Sequence, residues 1–69
     1  MPKQQNPLGR NLKSLREKRG LSQDRLAKLA DVSNNTIIGI EQDENPNPTL
    51  ETLKKIAKAL EVSIDDLTR

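Results

Sequence analysis

Not one of the 69 residues of this chain carries an aromatic ring. Any core must therefore come from Leu, Ile, Val and Ala, and apolar residues make up only 32% of the chain. A chain this short forms one domain with a small core. Cys and His are absent as well. Zinc fingers, zinc hydrolases, thiol nucleophiles and Ser-His-Asp triads are thereby removed. The stacking platforms of single-strand binders and RNA-recognition modules are missing too. An enzyme is disfavoured, and neither a metal nor a cofactor is expected.

The apolar residues that remain fall at helical spacing, and no stretch alternates like a strand. Met1 to Pro7 is polar, holds two prolines and reads as a flexible arm before a domain spanning residues 8–69. Leu8, Leu12 and Leu15 mark one face of a first helix, which Gly20 ends after Lys18 and Arg19. Ser22 caps a second helix with Leu26, Ala27, Leu29 and Ala30 on its buried side. Asp31 then sits at a tight turn, and Ser33 opens a third helix through about Gln42. Residues 43–48, Asp-Glu-Asn-Pro-Asn-Pro, are the strongest loop signal. Thr49 caps a fourth helix whose core stripe is Leu50, Leu53, Ile56, Ala57 and Leu60. Ser63 and Asp66 form a capping box for a short fifth helix. The expected class is all-α, with five short helices.

The net charge of +2 is unevenly spread: the first 20 residues carry a balance of +5 and residues 42–69 a balance of −2. No apolar run reaches the roughly 18–20 residues that span a membrane, and the first residues lack the apolar stretch of a secretory signal. A cytoplasmic protein is expected, with no membrane partner.

Two short helices joined by a tight turn, Ser22–Ala30 and Ser33–Gln42, make a helix-turn-helix candidate. At about 100° per residue, Ser33, Thr36, Ile37 and Ile40 share the inner side of the second of these helices. Asn35, Ile38, Gly39 and Gln42 share the outer side, with Asn34 and Glu41 on the flanks. Asn and Gln amides can match adenine N6 and N7 together, and Ile38 can meet a thymine methyl. The bland reading of Asn34 and Asn35 is ordinary first-turn occupancy, but on this helix base contact is the better expectation.

The stretch Leu15-Arg-Glu-Lys-Arg-Gly-Leu-Ser-Gln-Asp-Arg-Leu-Ala-Lys-Leu-Ala-Asp-Val-Ser resembles the lambda repressor/Cro-type (Xre-like) helix-turn-helix family. Thr36-Ile37, Ile40-Glu41, Pro48-Thr49-Leu50-Glu51-Thr52-Leu53 and the run from Ala57 to Ser63 continue it, so it extends from about Leu8 to Leu67. The resemblance implies a compact five-helix lambda repressor-like domain that binds double-stranded DNA as a homodimer on a two-fold-related operator. It implies that Gln23 contacts phosphate and braces the recognition helix. Ser33, Asn34 and Asn35 then reach base edges or adjacent phosphates, and Thr36 faces the backbone or the core. Arg16 and Glu41 match an ion pair that ties helix one to the recognition helix.

Three features depart from the family pattern. Gly39 stands where relatives usually carry a longer polar or basic residue, Ile38 is apolar where they are commonly polar, and Asp43-Glu44 puts acids beside the recognition helix in a loop that is also longer by one residue. The acidic loop and the modest net charge favour an alternative: a protein-interaction module of the same fold, such as an antitoxin or an adaptor docking through Ile38. Lys3 is expected to belong to a solubilising tail and Lys13 to a solvated helix face, while Lys18 and Arg19 are open between that face and phosphate contact. Lys54 and Lys55 are at spacing to pair with Glu51. Asp65 and Asp66 are first-turn charges. Val62, Ile64 and Leu67 mostly complete the core, any exposed part being the expected dimer seam.

Overall fold

The computed structural model describes residues 7–44 and 47–69. Among them are five helices, α1 (Pro7–Lys18), α2 (Gln23–Ala30), α3 (Asn34–Glu41), α4 (Leu50–Leu60) and α5 (Ile64–Thr68), and no strand. Of the arm expected over residues 1–7, residues 1–6, Lys3 among them, lie outside the described residues, and Pro7 is corrected to the first residue of α1. The first helix begins at Pro7, whose preset φ and missing N–H suit a helix start.

Hydroxyl caps start the other four helices. Ser22, Ser33, Thr49 and Ser63 accept from the backbone N–H three residues on, at Arg25, Thr36, Thr52 and Asp66. Each satisfies a donor that a helix start leaves open, worth about 1 kcal/mol. At α5 the return bond is also made, from the Ser63 N–H to Asp66 Oδ2 at 3.1 Å, which completes the expected capping box.

The helix stops repeat one geometry. At Gly20, Asp31, Asp43 and Glu61 the chain turns left-handed, with φ of 68°, 59°, 62° and 58°. Each of these N–H groups bonds the carbonyl three residues back, and the next N–H bonds the carbonyl five back. At α2, for example, Asp31 donates to Lys28 (3.2 Å) and Val32 to Ala27 (3.0 Å). The double bond satisfies orphan carbonyls, and a following apolar residue commonly packs back on the helix. Leu21, Val32 and Val62 supply that clamp against the core; Glu44 holds the corresponding place after α3 and is exposed.

These turns fold the amphipathic helices onto one aliphatic core. α2 packs on α3 and α4, α1 on α3 and α5, and α4 on α5. Leu12, Leu26, Ile37, Ile40, Ile56, Leu60 and Leu67 are fully enclosed at their centre. Each such side chain contributes roughly 1.5–3 kcal/mol through burial, so close aliphatic packing replaces the bulk that rings would bring. Two expected core residues are outside it: Leu29 is 56% and Leu50 59% exposed. The buried stripe of α2 is Leu26, Ala27 and Ala30, which leaves Leu29 at its edge. Leu50 is the first residue of α4, two turns before the fully buried Ile56. Among the described residues no helix is long and apolar enough to cross a membrane.

The stops predict opposite effects at like positions. Gly20→Ala should destabilise by about 1 kcal/mol for conformational reasons alone, since a Cβ there meets nothing within 4 Å. Glu61→Gly should stabilise by about 1 kcal/mol, less whatever its exposed 3.6 Å pair with Arg19 contributes. Urea unfolding of both variants checks the signs. A second expectation concerns acid. The Ser63 backbone N–H, and then its hydroxyl, lower the Asp66 pKa. A lowered native pKa gives stability that is present above the unfolded carboxyl pKa of about 3.9 and lost as pH falls through the native value. Asp66→Asn should flatten the acid-side decline of the melting temperature.

Candidate nucleic-acid interface

The tight turn at Asp31 and Val32 sets α3 across α2 so that its first turn faces solvent. Ser33, Asn34 and Asn35 are exposed there, Thr36 and Ile38 are half-buried, and Gln42 is exposed at the far end. Beyond the cap bond, the Ser33 and Thr36 hydroxyls lie 2.8 Å apart in a hydrogen bond, which fixes the edge of the turn beside the two asparagines. No acid occupies this first turn, so the positive helix end is uncompensated and suited to an anion. The expected outer side is corrected at one position. Gly39 is buried rather than outward-facing, and without a side chain it presents nothing there. Asn35, Ile38 and Gln42 are left on that side.

What holds this surface is a buried ion pair. Arg16 Nε donates to Glu41 Oε2 at 2.7 Å and its Nη2 to Oε1 at 3.1 Å, while Nη1 donates to the Leu21 carbonyl at 2.7 Å. Gln23 Nε2 adds a bond to Glu41 Oε1 at 3.0 Å. The two charged side chains are only 11% and 4% exposed. One carboxylate thus joins the end of α3 to α1 and to the start of α2, and the guanidinium reaches the turn between those helices. The hydrogen bond to Glu41 raises the Arg16 pKa above its ordinary value, so the cation persists throughout the working pH range. Gln23 spends one amide N–H on this bracket, leaving its other N–H for another acceptor.

Sequence reasoning missed Gly9. A Cβ built on it would stand 2.6 Å from the Ile40 carbonyl oxygen and 3.2 Å from that of Glu41. α1 therefore meets the last turn of the recognition helix backbone to backbone. The available signal was a glycine inside a helical pattern, which costs about 1 kcal/mol relative to alanine and calls for a packing reason.

Other charges sit away from this bracket. Arg19 pairs with Glu61, Lys28 with Asp24 at 3.4 Å, and Lys55, of the two lysines at suitable spacing, with Glu51 at 4.0 Å. Lys13 and Lys18 are exposed on α1. After α3, Glu44 is exposed, whereas Asp43 is half-buried with one carboxylate oxygen, Oδ1, enclosed and without a hydrogen-bond partner. At α5 the expected seam is narrowed, because Leu67 is fully enclosed and only Val62 and Ile64 retain partial exposure. No group of acids able to hold a metal ion occurs among the described residues.

Comparison with known proteins gives consistent matches. The family model described as HTH_3, Helix-turn-helix, matches residues 12–67. SinR of Bacillus subtilis, an HTH-type transcriptional regulator, is 32% identical over 60 residues, covering 87% of this chain and 54% of SinR. Its N-terminal DNA-binding domain superposes with a TM-score of 0.90 at 29% identity over 94% of both chains. The restriction-modification controller protein C.AhdI of Aeromonas hydrophila gives 0.84 at 32% identity, covering 90% of this chain and 92% of its own. The same fold forms 35% of HppE, with a TM-score of 0.82 and 31% identity over 93% of this chain; an HppE structure is described in complex with substrate. The chain spans between 31% and 54% of the length of the curated relatives it matches.

The bracket predicts a thermodynamic signature. Arg16→Ala strands a buried carboxylate and should cost about 3–5 kcal/mol, whereas the double variant Arg16→Met/Glu41→Leu should recover much of that loss. Gly9→Ala should lower stability and shift the amide resonances of Ile40 and Glu41. Denaturant unfolding and amide spectra measure both.

Proposed function

The chain belongs to the HTH_3 helix-turn-helix family, and from that premise we propose that it is a sequence-specific reader of double-stranded DNA, a transcriptional regulator acting as a repressor. The observation that carries this reading is the exposed, acid-free first turn of α3, with Asn34 and Asn35 on it, clamped at its far end by Arg16, Glu41 and Gln23. A rigid amide surface at a positive helix end is what major-groove readout asks for.

In this docking mode α3 lies in the major groove, and two protomers of a homodimer engage half-sites roughly 34 Å apart on one face of the duplex. Asn35 and Gln42 present amide forks to adenine edges, Asn34 and Ser33 reach bases or adjacent phosphates, and Ile38 offers its methyls to thymine. Gln23 gives its remaining N–H to a phosphate, so the side chain that braces α3 also registers it on the backbone. Thr36, half-buried against the Ser33 hydroxyl, shapes the turn. The function is binding, carried out in the cytoplasm, with no catalytic step and no cofactor. The acidic pair Asp43-Glu44 favours the second reading, a protein-interaction module of the same fold.

Selection from random duplexes is the deciding experiment. The expected product is a two-fold-related site, with log affinity falling linearly in log salt at a slope of about −0.9 per phosphate neutralised. Asn35→Ala should relax preference at one base step at a cost of about 1–3 kcal/mol, whereas Lys18→Ala should weaken all sequences alike or not at all. Failure to bind any duplex at low salt sinks the proposal in favour of the protein-interaction reading.

A further inference from the structure

The side chain that the helical pattern placed in the core and the fold left out, Leu29, stands beside a groove. This groove, of about 420 Å³, runs between the end of α2 and the second half of α4, lined by Leu29, Ala30, Asp31, Lys55, Lys58 and Ala59. Its floor is aliphatic, and Leu29 is 56% exposed. Of the two lysines on its wall, Lys55 has only a 4.0 Å pair with the exposed Glu51, and Lys58 makes no ion pair among the described residues. The single acid, Asp31, is the left-handed cap of α2. None of the reading residues Ser33, Asn34, Asn35 or Gln42 lines it.

We propose that this α2–α4 groove is a docking site for an acidic, leucine-bearing segment of a partner protein. The charges and the floor argue jointly for that occupant. Lys55 and Lys58 call for carboxylates, and an exposed leucine beside Ala59 calls for apolar side chains to cover it. Nucleic acid answers only the first requirement, since phosphates would leave Leu29 wet and meet Asp31 at the rim. A second copy of this surface answers the second, but with two lysines and one acid on each side it leaves one cation uncompensated on each copy. A short amphipathic helix with Glu and Leu at helical spacing answers both. The partner surface thus moves from Ile38, half-buried on the reading side, to Leu29, and a regulator built this way can hold DNA and a protein ligand on separate faces.

The test uses the full chain and a fluorescein-labelled amphipathic peptide of Glu and Leu, with a matched peptide carrying Lys for Glu, followed by anisotropy and amide shifts without DNA. The acidic peptide should bind, moving amides at the end of α2 and along α4. Leu29→Glu and Lys58→Glu should each weaken it by about tenfold, while Lys13→Glu on α1 should not. Absence of binding, equal binding of the basic peptide, or indifference to both groove variants overturns the proposal. Self-association abolished by Leu29→Glu assigns the groove to a second copy and overturns it. Shifts of the same amides on adding duplex DNA, lost in Lys58→Glu, assign it to nucleic acid and likewise overturn it. Because the peptide is titrated alone, failure of the DNA reading leaves this result interpretable.

Discussion

The placement of α3 depends first on one carboxylate held inside the protein. Glu41 accepts from Arg16 twice and from Gln23 once, so the end of α3 has three donors from two other helices on a single group. Taking an ion pair out of water costs several kcal/mol per ion, and the attraction in a poorly polar interior repays this only with good geometry. On stability alone, apolar residues of similar shape would serve as well. The gain is positional. A bidentate guanidinium tolerates little rotation, and α3 has only eight residues, too few to keep an orientation unaided. Gly9 supports the same end by a different route, letting the backbone of α1 stop against the last turn of α3.

The reading turn and the bracket occupy opposite ends of α3. The exposed first turn carries the asparagines and stays solvated, while in the last turn Gly39 and Ile40 are buried and the Glu41 side chain is enclosed. Burial is therefore spent where position matters, and solvent access is kept where a ligand must approach. On the proposed function, the same division lets uncharged amides suffice. A side chain on a firmly held helix needs no long reach, and short side chains lose little conformational freedom on contact.

Local chemistry was readable from the chain and tertiary geometry was not. The four hydroxyl caps are found at Ser22, Ser33, Thr49 and Ser63 because each depends on residues within one turn. The stops at Gly20 and Asp31 were likewise legible, as both residue types tolerate the left-handed region. Glu61 gave no such sign. The residue after it, Val62, packs against the core, and the left-handed position carries a backbone cost of about 1 kcal/mol. Leu29 and Leu50 were misplaced for a related reason: periodicity identifies a face but not whether a neighbour covers it. Arg16 and Glu41, separated by 25 positions, were paired through resemblance to a family, since nothing within either local stretch points to the other.

The stop after α3 differs from the other three in carrying Glu44 where they carry Leu21, Val32 and Val62. Those three loops are pinned to the core at their exit, so added or deleted residues would pull on packed side chains. Among the described residues the exit from α3 has no such apolar anchor, and the helix before it is secured through α1. A change of side chain at the exposed Glu44 therefore pulls on no packed apolar contact, unlike a change at Leu21, Val32 or Val62.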